Sequence, residues 1–516
     1  MRLTQYRQDS FINITKLGFQ EQLPSHVVRP IRFSFRVLLL SALLMLASCT
    51  TFPPNPTQTT DTECELNTTN SKHLGDGWLF RLDPNNVGLL EGWPHDIADK
   101  NEWVALIPGE PWEASGFDYD GVAWYSTEIT LPDWPNTYLG FGKVDDSATM
   151  WINGKKVEAL TNVESEASLV DLGNYGKASD KLQIYIRIVD LGGYGGIKQP
   201  IIMGQDLRLV ITPLQYAALQ ASTHPEWPMP AWSKNEPYSW TMTGNSQASE
   251  EALVSSDGSV SPWAKAPRTE IWIYHKVEEL LTYADPTQIE FSLSDSHSPI
   301  PTWEWQSANV IVTNTLFGDQ KNKAIRWKVA LTNQSASHVE LDMMLSVRPF
   351  ATNANSAPIC QLNTQRSNKM WVNNKPFLTA AIPAKHRGAA HLDEVMYAAL
   401  NGTVPSNKIV RDPTNGSLAA MWSYPVDLAP GETKDFHFAF PDTPGSSFPD
   451  VDLPIEQQIN KALEHWKQET GKVTIELPDS SVQNGPEGKS YCVCVGLLLN
   501  PIIVVCTSVS SVTSTL

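Results

Sequence analysis

Between Asp118 and Ile197 the chain alternates apolar and polar residues with period two and closes each run with Gly, Asp or Asn. The blocks read DYDGVAWYSTEITLP, LGFGKVDDSATMWINGKKV and LQIYIRIVDLGGYGGI. Period two sends successive side chains to opposite faces, so such runs hide their apolar half only by pairing into a sheet. Strands are predicted over Ala123 to Leu131, Tyr138 to Val144, Ala148 to Ile152 and along Leu182, Ile184, Ile186 and Ile188. Leu207, Leu209 and Ile211 are expected to close the unit. Asn153-Gly154, between two such runs, is a type I′ hairpin signal, because both residues tolerate positive φ. From about Trp78 to Pro213 the pattern is a sandwich or jelly roll.

Residues 214–268 are less regular and include HPEWPMPAWSKNEP and SVSPWAKAP. Proline spaced this closely opposes helices and central strands. The segment reads as a connector that packs Trp227, Trp232, Trp240 and Trp263 against its neighbours. A second β-rich region follows from 269 to 445, with TEIWIYHKV, AIRWKVALTN, VELDMMLSVRPF and KDFHFAF among its strand-like runs. In 453–470 the residues Ile455, Ile459, Ala462, Leu463 and Trp466 fall on one face of a helix, and Gly471 supplies a stop. The predicted class is therefore all-β: a jelly roll at 73–213, a second large antiparallel β-sandwich, and a short C-terminal helix within 446–483. From Asn484 the composition changes to a Cys-, Ser- and Val-rich tail, NGPEGKSYCVCVGLLLNPIIVVCTSVSSVTSTL. The expectation is a reading frame lost near 483–490, with a catalytic domain missing downstream; the alternative is a natural tail strand.

The N-terminus carries an address. Arg29, Arg32 and Arg36 precede an apolar run from Val37 to Ala47, and Leu46-Ala47-Ser48-Cys49 follows. A basic flank, a short apolar core and small residues before the cut define a secretory signal, and the run is too short for a mature span. The ending resembles the bacterial lipobox, which implies a lipid anchor to the membrane at Cys49. The absence of Asp after that cysteine favours the outer membrane; a soluble secreted protein is the alternative. Translation is expected to begin near Val27 or Val28, and residues 50–72 form a Pro/Thr-rich tether expected to be disordered. A net charge of −18 with no basic run excludes nucleic acid as a natural partner. An oxidising envelope permits a bridge involving Cys64 or Cys360, while Cys492, Cys494 and Cys506 make a poor metal set without partner ligands.

The blocks between Asp118 and Ile197, in their order, resemble the galactose-binding-like jelly roll of β-galactosidases, β-glucuronidases and sialate O-acetylesterases. That resemblance implies a carbohydrate partner and an ancillary role beside a separate catalytic domain. Thr332-Asn333, Arg348-Pro349-Phe350 and Leu428 to Glu432 resemble the large β-sandwich that precedes an (α/α) toroid in debranching-type glycoside hydrolases.

No catalytic residue can be chosen from the sequence. Glycoside hydrolysis needs two facing carboxylates. The adjacent Asp145 and Asp146 would point to opposite faces of a strand, so they read as turn-builders, as does Asp190 before its glycine cluster. Nucleophile elbow, P-loop, dinucleotide fingerprint and zinc motif are all absent, so no cofactor or metal is expected. The polar, Gly-containing segment PGEPWEASGFDYDG reads as a loop, where aromatics can stack on a pyranose and carboxylates bond its hydroxyls. Trp112, Asp118 and Tyr119 are the candidate carbohydrate-binding residues, with Phe117 beside them; Trp124 and Trp151 read as core. The expected function is the carbohydrate-binding front portion of a cell-envelope glycoside hydrolase. Two alternatives stay open: an active hydrolase with carboxylates in the second β-domain, and a structural envelope lipoprotein holding a protein partner.

Overall fold

The fold is taken from a computed structural model. It describes residues 70–470 except 96–99, 142–143, 145, 162–167, 296–297 and 413, together with the strands Cys492–Leu497 and Ile502–Thr507. The lipobox with Cys49, the tether and Asp145 lie outside the described residues.

The jelly roll is a sandwich of a six-stranded and a four-stranded sheet. Gly121–Thr130 pairs antiparallel with Lys181–Asp190 along its whole length, from Gly121 opposite Asp190 to Thr130 opposite Lys181. Strand alternation then decides the layers. Ala123, Tyr125, Ile129, Ile184, Ile186 and Ile188 point inward and meet Leu139, Phe141, Val170 and Met203 from the four-stranded sheet. Trp124, Trp151 and Tyr185 point the other way and form a second buried cluster with Trp93 and Trp103. Thus Trp124 and Trp151 are interior residues, although on the outer side of their sheet. Asn153 and Gly154 both adopt positive φ, 49° and 75°, as the hairpin requires.

The second body stacks an eight-stranded on a nine-stranded antiparallel sheet. Ile271, Ile273, Leu345, Ala420 and Trp422 face inward to meet Trp327, Val329, Phe438 and Phe440. The alternate residues Trp272, Met344 and Met421 face the jelly roll. Two helices fill that seam, α1 (Pro213–Thr223) and α2 (Leu392–Leu400), and Tyr138, Leu169 and Ile202 of the four-stranded sheet pack against the same cluster. A third helix, α3 (Ile455–Thr470), covers the far face through Ile455 and Ala462 on Ile300 and Phe317. The predicted helical face is therefore the buried face.

Two expectations are corrected. Residues 214–268 do more than connect: they begin within α1, and Trp240–Thr243, Ala252–Ser255 and Val260–Ser261 extend the eight-stranded sheet. Helix α1 starts because Thr212 and Gln215 form a reciprocal capping box and Pro213 occupies a first-turn position that needs no N–H donor. Trp227 and Trp232 are buried as expected and Trp263 is partly buried, whereas Trp240 is exposed. Leu207–Leu209 is a single 3-10 turn and not a closing strand, because the Asp206 side chain accepts from the Arg208 N–H and caps it. In the tail, Cys492–Leu497 and Ile502–Thr507 pair as an antiparallel hairpin.

Candidate functional site

The jelly-roll candidates lie on a short loop that turns inward. Trp112–Ser115 is a 3-10 turn ended by Gly116 at φ 91°. Trp112 is fully buried, packs against Phe80 and Tyr119, and donates its indole N–H to the Tyr119 carbonyl at 3.0 Å. A side chain without exposed surface cannot stack on a sugar, so Trp112 belongs to the core. Its polar neighbours made the loop read as exposed, but one aromatic in it faces the interior. Tyr119 is half-buried, and its hydroxyl accepts from the Val122 N–H at 3.1 Å. Phe117 is half-buried against the same core. Asp118 stays exposed.

The acids around this end hold backbone. Asp146 accepts from the Leu191 N–H at 2.5 Å, Asp190 from the Gly192 N–H at 2.8 Å, and Glu113 from the Gly195 N–H at 3.1 Å. These bonds fix the Asp190–Gly196 loop against the end of the sandwich. Gly195 permits the contact, since a Cβ there would lie 2.2 Å from the Trp112 ring. Leu191 and Tyr194 project from this loop, 82 % and 68 % exposed. Tyr194 is the loop's free aromatic, and the sequence reasoning passed over it.

A second place was not foreseen. Along one edge of Arg268–His275, Val260 pairs with Thr269 and Tyr283 pairs with Trp272. Glu270 and Ile271 lie between those two neighbours, and a cavity of about 470 Å³ opens there. Its walls come from both sheets and from the 228–236 segment. Asn314 and Trp305 contribute from the nine-stranded sheet, and Tyr283, 36 % exposed, stands at the mouth.

The wall is ionic. Arg268 and Glu270 share one face of their strand, and Arg348 sits directly opposite Arg268 in the register. The Arg268 Nε donates to Glu270 Oε1 at 2.6 Å, and its Nη2 meets Asp257. Arg348 pairs with the other oxygen of Glu270, donates to the Pro228 carbonyl at 2.8 Å, and lies over the rings of Trp272 and Phe350. Both arginines are essentially out of water. Burial, against the pull of Glu270, draws the Arg348 guanidinium down to about 10, still charged at neutral pH. Burial pushes the Asp257 carboxyl up, but the Arg268 charge and bonds from Ser255, Arg268 and the Ser259 N–H outweigh it and hold it below the usual range. The Arg268 Nη1 makes no hydrogen bond among the described residues.

This arrangement supplies fixed anions, fixed cations and unspent donors at Arg268 Nη1 and Arg348 Nε, all held before any ligand arrives. Asp257, held ionised, is poorly suited to general-acid catalysis, which needs a carboxylic acid whose pKa is raised toward neutrality. Among the described residues no group of three His, Cys, Asp or Glu could hold a metal ion, and no helix is long and apolar enough to cross a membrane. Cys360 is disulfide-bonded.

The residues that carried the second resemblance have structural duties here. Asn333 donates to the carbonyls of Ser337, Leu428 and Ala429, and Glu432 accepts from the Ala429 N–H at 2.8 Å.

No family model matches the chain, and no curated protein matches it. Among solved structures it is similar to the β-glucuronidase of Ruminococcus gnavus. The form in complex with D-glucuronic acid is 13% identical, with 60% of this chain and 48% of that chain covered and a TM-score of 0.24. The apo form is 12% identical, with coverages of 60% and 47% and the same TM-score of 0.24. The match thus spans less than half of those enzymes' length. At that likeness it assigns neither a reaction nor a site residue to this chain.

Proposed function

We propose that this chain binds carbohydrate and serves as the non-catalytic front portion of a glycoside hydrolase of the bacterial cell envelope, held at the outer membrane through Cys49. The observation that carries the reading is the cavity in the large sandwich. Saccharide sites pair an aromatic surface with convergent polar groups that are already fixed. Here Tyr283 stands at the mouth and Asn314, Arg268, Glu270 and Asp257 line the interior. Rigid groups of this kind keep the ordering cost of binding low. The Cys360 disulfide is in keeping with an oxidising compartment.

The hydrolase alternative places its carboxylates in this same domain, and Asp257 and Glu270 do meet there. Both are committed to Arg268, however, and Asp257 is held ionised. Binding without turnover is therefore the reading these groups favour.

The test is a glycan array with the full chain, followed by titration of any hit against Tyr283→Ala. Binding lost in the variant supports the reading, and a folded protein that binds no glycan overturns it. Assays on aryl glycosides and aryl acetates complete the test. Turnover that disappears in Glu270→Gln would establish the hydrolase instead.

A further inference from the structure

We infer that the cavity selects its sugar by charge, taking amino and neutral sugar residues and discriminating against uronic acids. This rests on the carbohydrate reading above and deepens it. Lys234 and Arg268 line the cavity and Arg348 backs its wall through Glu270, against the four carboxylates of Glu236, Asp257, Glu270 and Asp285. Three positive and four negative groups leave a formal −1. The whole chain, these groups included, has the same sign, at −18. A uronate would bring a further negative charge to a site of negative balance, whereas a protonated amine would be drawn to it.

The interior and the mouth divide the work. Inside, Asp257 and Glu270 are tied to Arg268, so their oxygens serve as fixed acceptors for hydroxyl groups. The Arg268 Nη1, out of water and without a hydrogen bond among the described residues, is a donor still to be satisfied. A hydroxyl oxygen can accept from it without adding charge. At the mouth Glu236 and Asp285 are exposed and lack an ion pair to Arg or Lys among the described residues. They set the potential that an approaching ligand meets first. One net charge about 10 Å away in water changes affinity roughly twofold for each unit of ligand charge, by Coulomb's law.

The experiment compares methyl β-D-glucosaminide, methyl β-D-glucoside and methyl β-D-glucuronide, which differ at one position each and carry charges of +1, 0 and −1. Each is titrated into the full chain by ligand-observed NMR at low and high salt. The expected order is glucosaminide, then glucoside, then glucuronide, with steps of roughly twofold that shrink as salt screens the mouth. The double variant Glu236→Lys with Asp285→Lys changes exposed side chains, and circular dichroism checks that the fold survives loss of the turn bonds Asp285 accepts from Thr287. It is expected to reverse the order. If the glucuronide binds as well as the glucoside or better at low salt, the charge inference fails and the carbohydrate reading stands. If the order survives in the double variant, the selecting site is elsewhere and the inference is overturned. If none of the three sugars binds, the charge inference fails, and if the glycan array is also blank the carbohydrate reading fails with it.

Discussion

Asp83, Asp146 and Asp190 in the jelly roll and Asp257 and Glu270 in the large sandwich are all held carboxylates, but different partners hold them. In the jelly roll the partners are backbone N–H groups and one indole. Asp83 accepts from the Val87 and Gly88 N–H groups at 2.8 and 2.9 Å and from the Trp124 indole at 3.0 Å. Each bond fixes a turn, and the surface it leaves is a loop. In the large sandwich the partners are guanidinium groups brought face to face by strand register. Those bonds keep charge in the interior and leave a cavity wall. Carboxylates held by backbone N–H groups thus fix turns in one body. Carboxylates held by buried guanidinium groups line a prepared site in the other.

The contrast can be broken most forcefully at Glu270. Removing it leaves Arg268 with Asp257 and Arg348 with the Pro228 carbonyl, and breaking a buried pair in this way costs about 3–5 kcal/mol. Glu270→Ala is therefore expected to shift the guanidinium denaturation midpoint of the chain strongly. A shift near zero would mean that the arginines find water, and that the ionic wall is not a closed network. Asp83→Ala is the matching change in the jelly roll. It leaves three donors without their acceptor, and the expected loss is about 1–3 kcal/mol. Near-ultraviolet circular dichroism reads it directly, since Trp124 stacks on Trp151 and meets Trp93 edge-on. An unchanged tryptophan signal would show that Asp83 does not position that cluster.

The two bodies also differ in how far they could be read from the sequence. The paired strands were legible because Leu182, Ile184, Ile186 and Ile188 alternate without interruption and all four face the core. Helix α3 was legible because its apolar residues recur at helical spacing. Helix α1 was missed because PLQYAALQAST has no narrow apolar stripe, although Thr212, Pro213 and Gln215 spell out its start. Trp112 was misplaced because polar neighbours predict an exposed loop but do not say which way one side chain turns. The cavity could not be found at all. Its walls run from Pro228 to Asn314, and the ionic set is completed by Arg348, so only strand register brings them together.

Asp146→Ala probes the weaker kind of holding. One exposed bond to the Leu191 N–H is lost, so the expected cost is about 0.5–1.5 kcal/mol. Hydrogen exchange should accelerate in the Asp190–Gly196 loop and stay unchanged around Arg268. Faster exchange at both places would show that the loop supports the seam, and that the two bodies are less separate than their carboxylates imply.

The smallest expected effect is a pH dependence confined to the large sandwich. Burial lowers the pKa of His275, whose Nε2 lies 2.7 Å from the Ser307 hydroxyl, and burial likewise lowers that of His437. Both start from an ordinary value of 6.5. As pH falls, the unfolded chain takes up protons at these positions before the folded one does. Their contribution is thus complete above pH 6.5 and is lost as pH falls through the lower folded values. Asp257 has the same sign further down, because its folded pKa lies below the ordinary 3.8 and its ion pair is lost only as pH falls through that lower value. Denaturation midpoints of the wild type and of His275→Asn with His437→Asn, compared at pH 7.5 and 5.5, isolate the histidines. The slope should flatten in the double variant. If it persists unchanged, the acid sensitivity belongs to other groups, and the large sandwich tolerates charge at these buried imidazoles as readily as at its arginines.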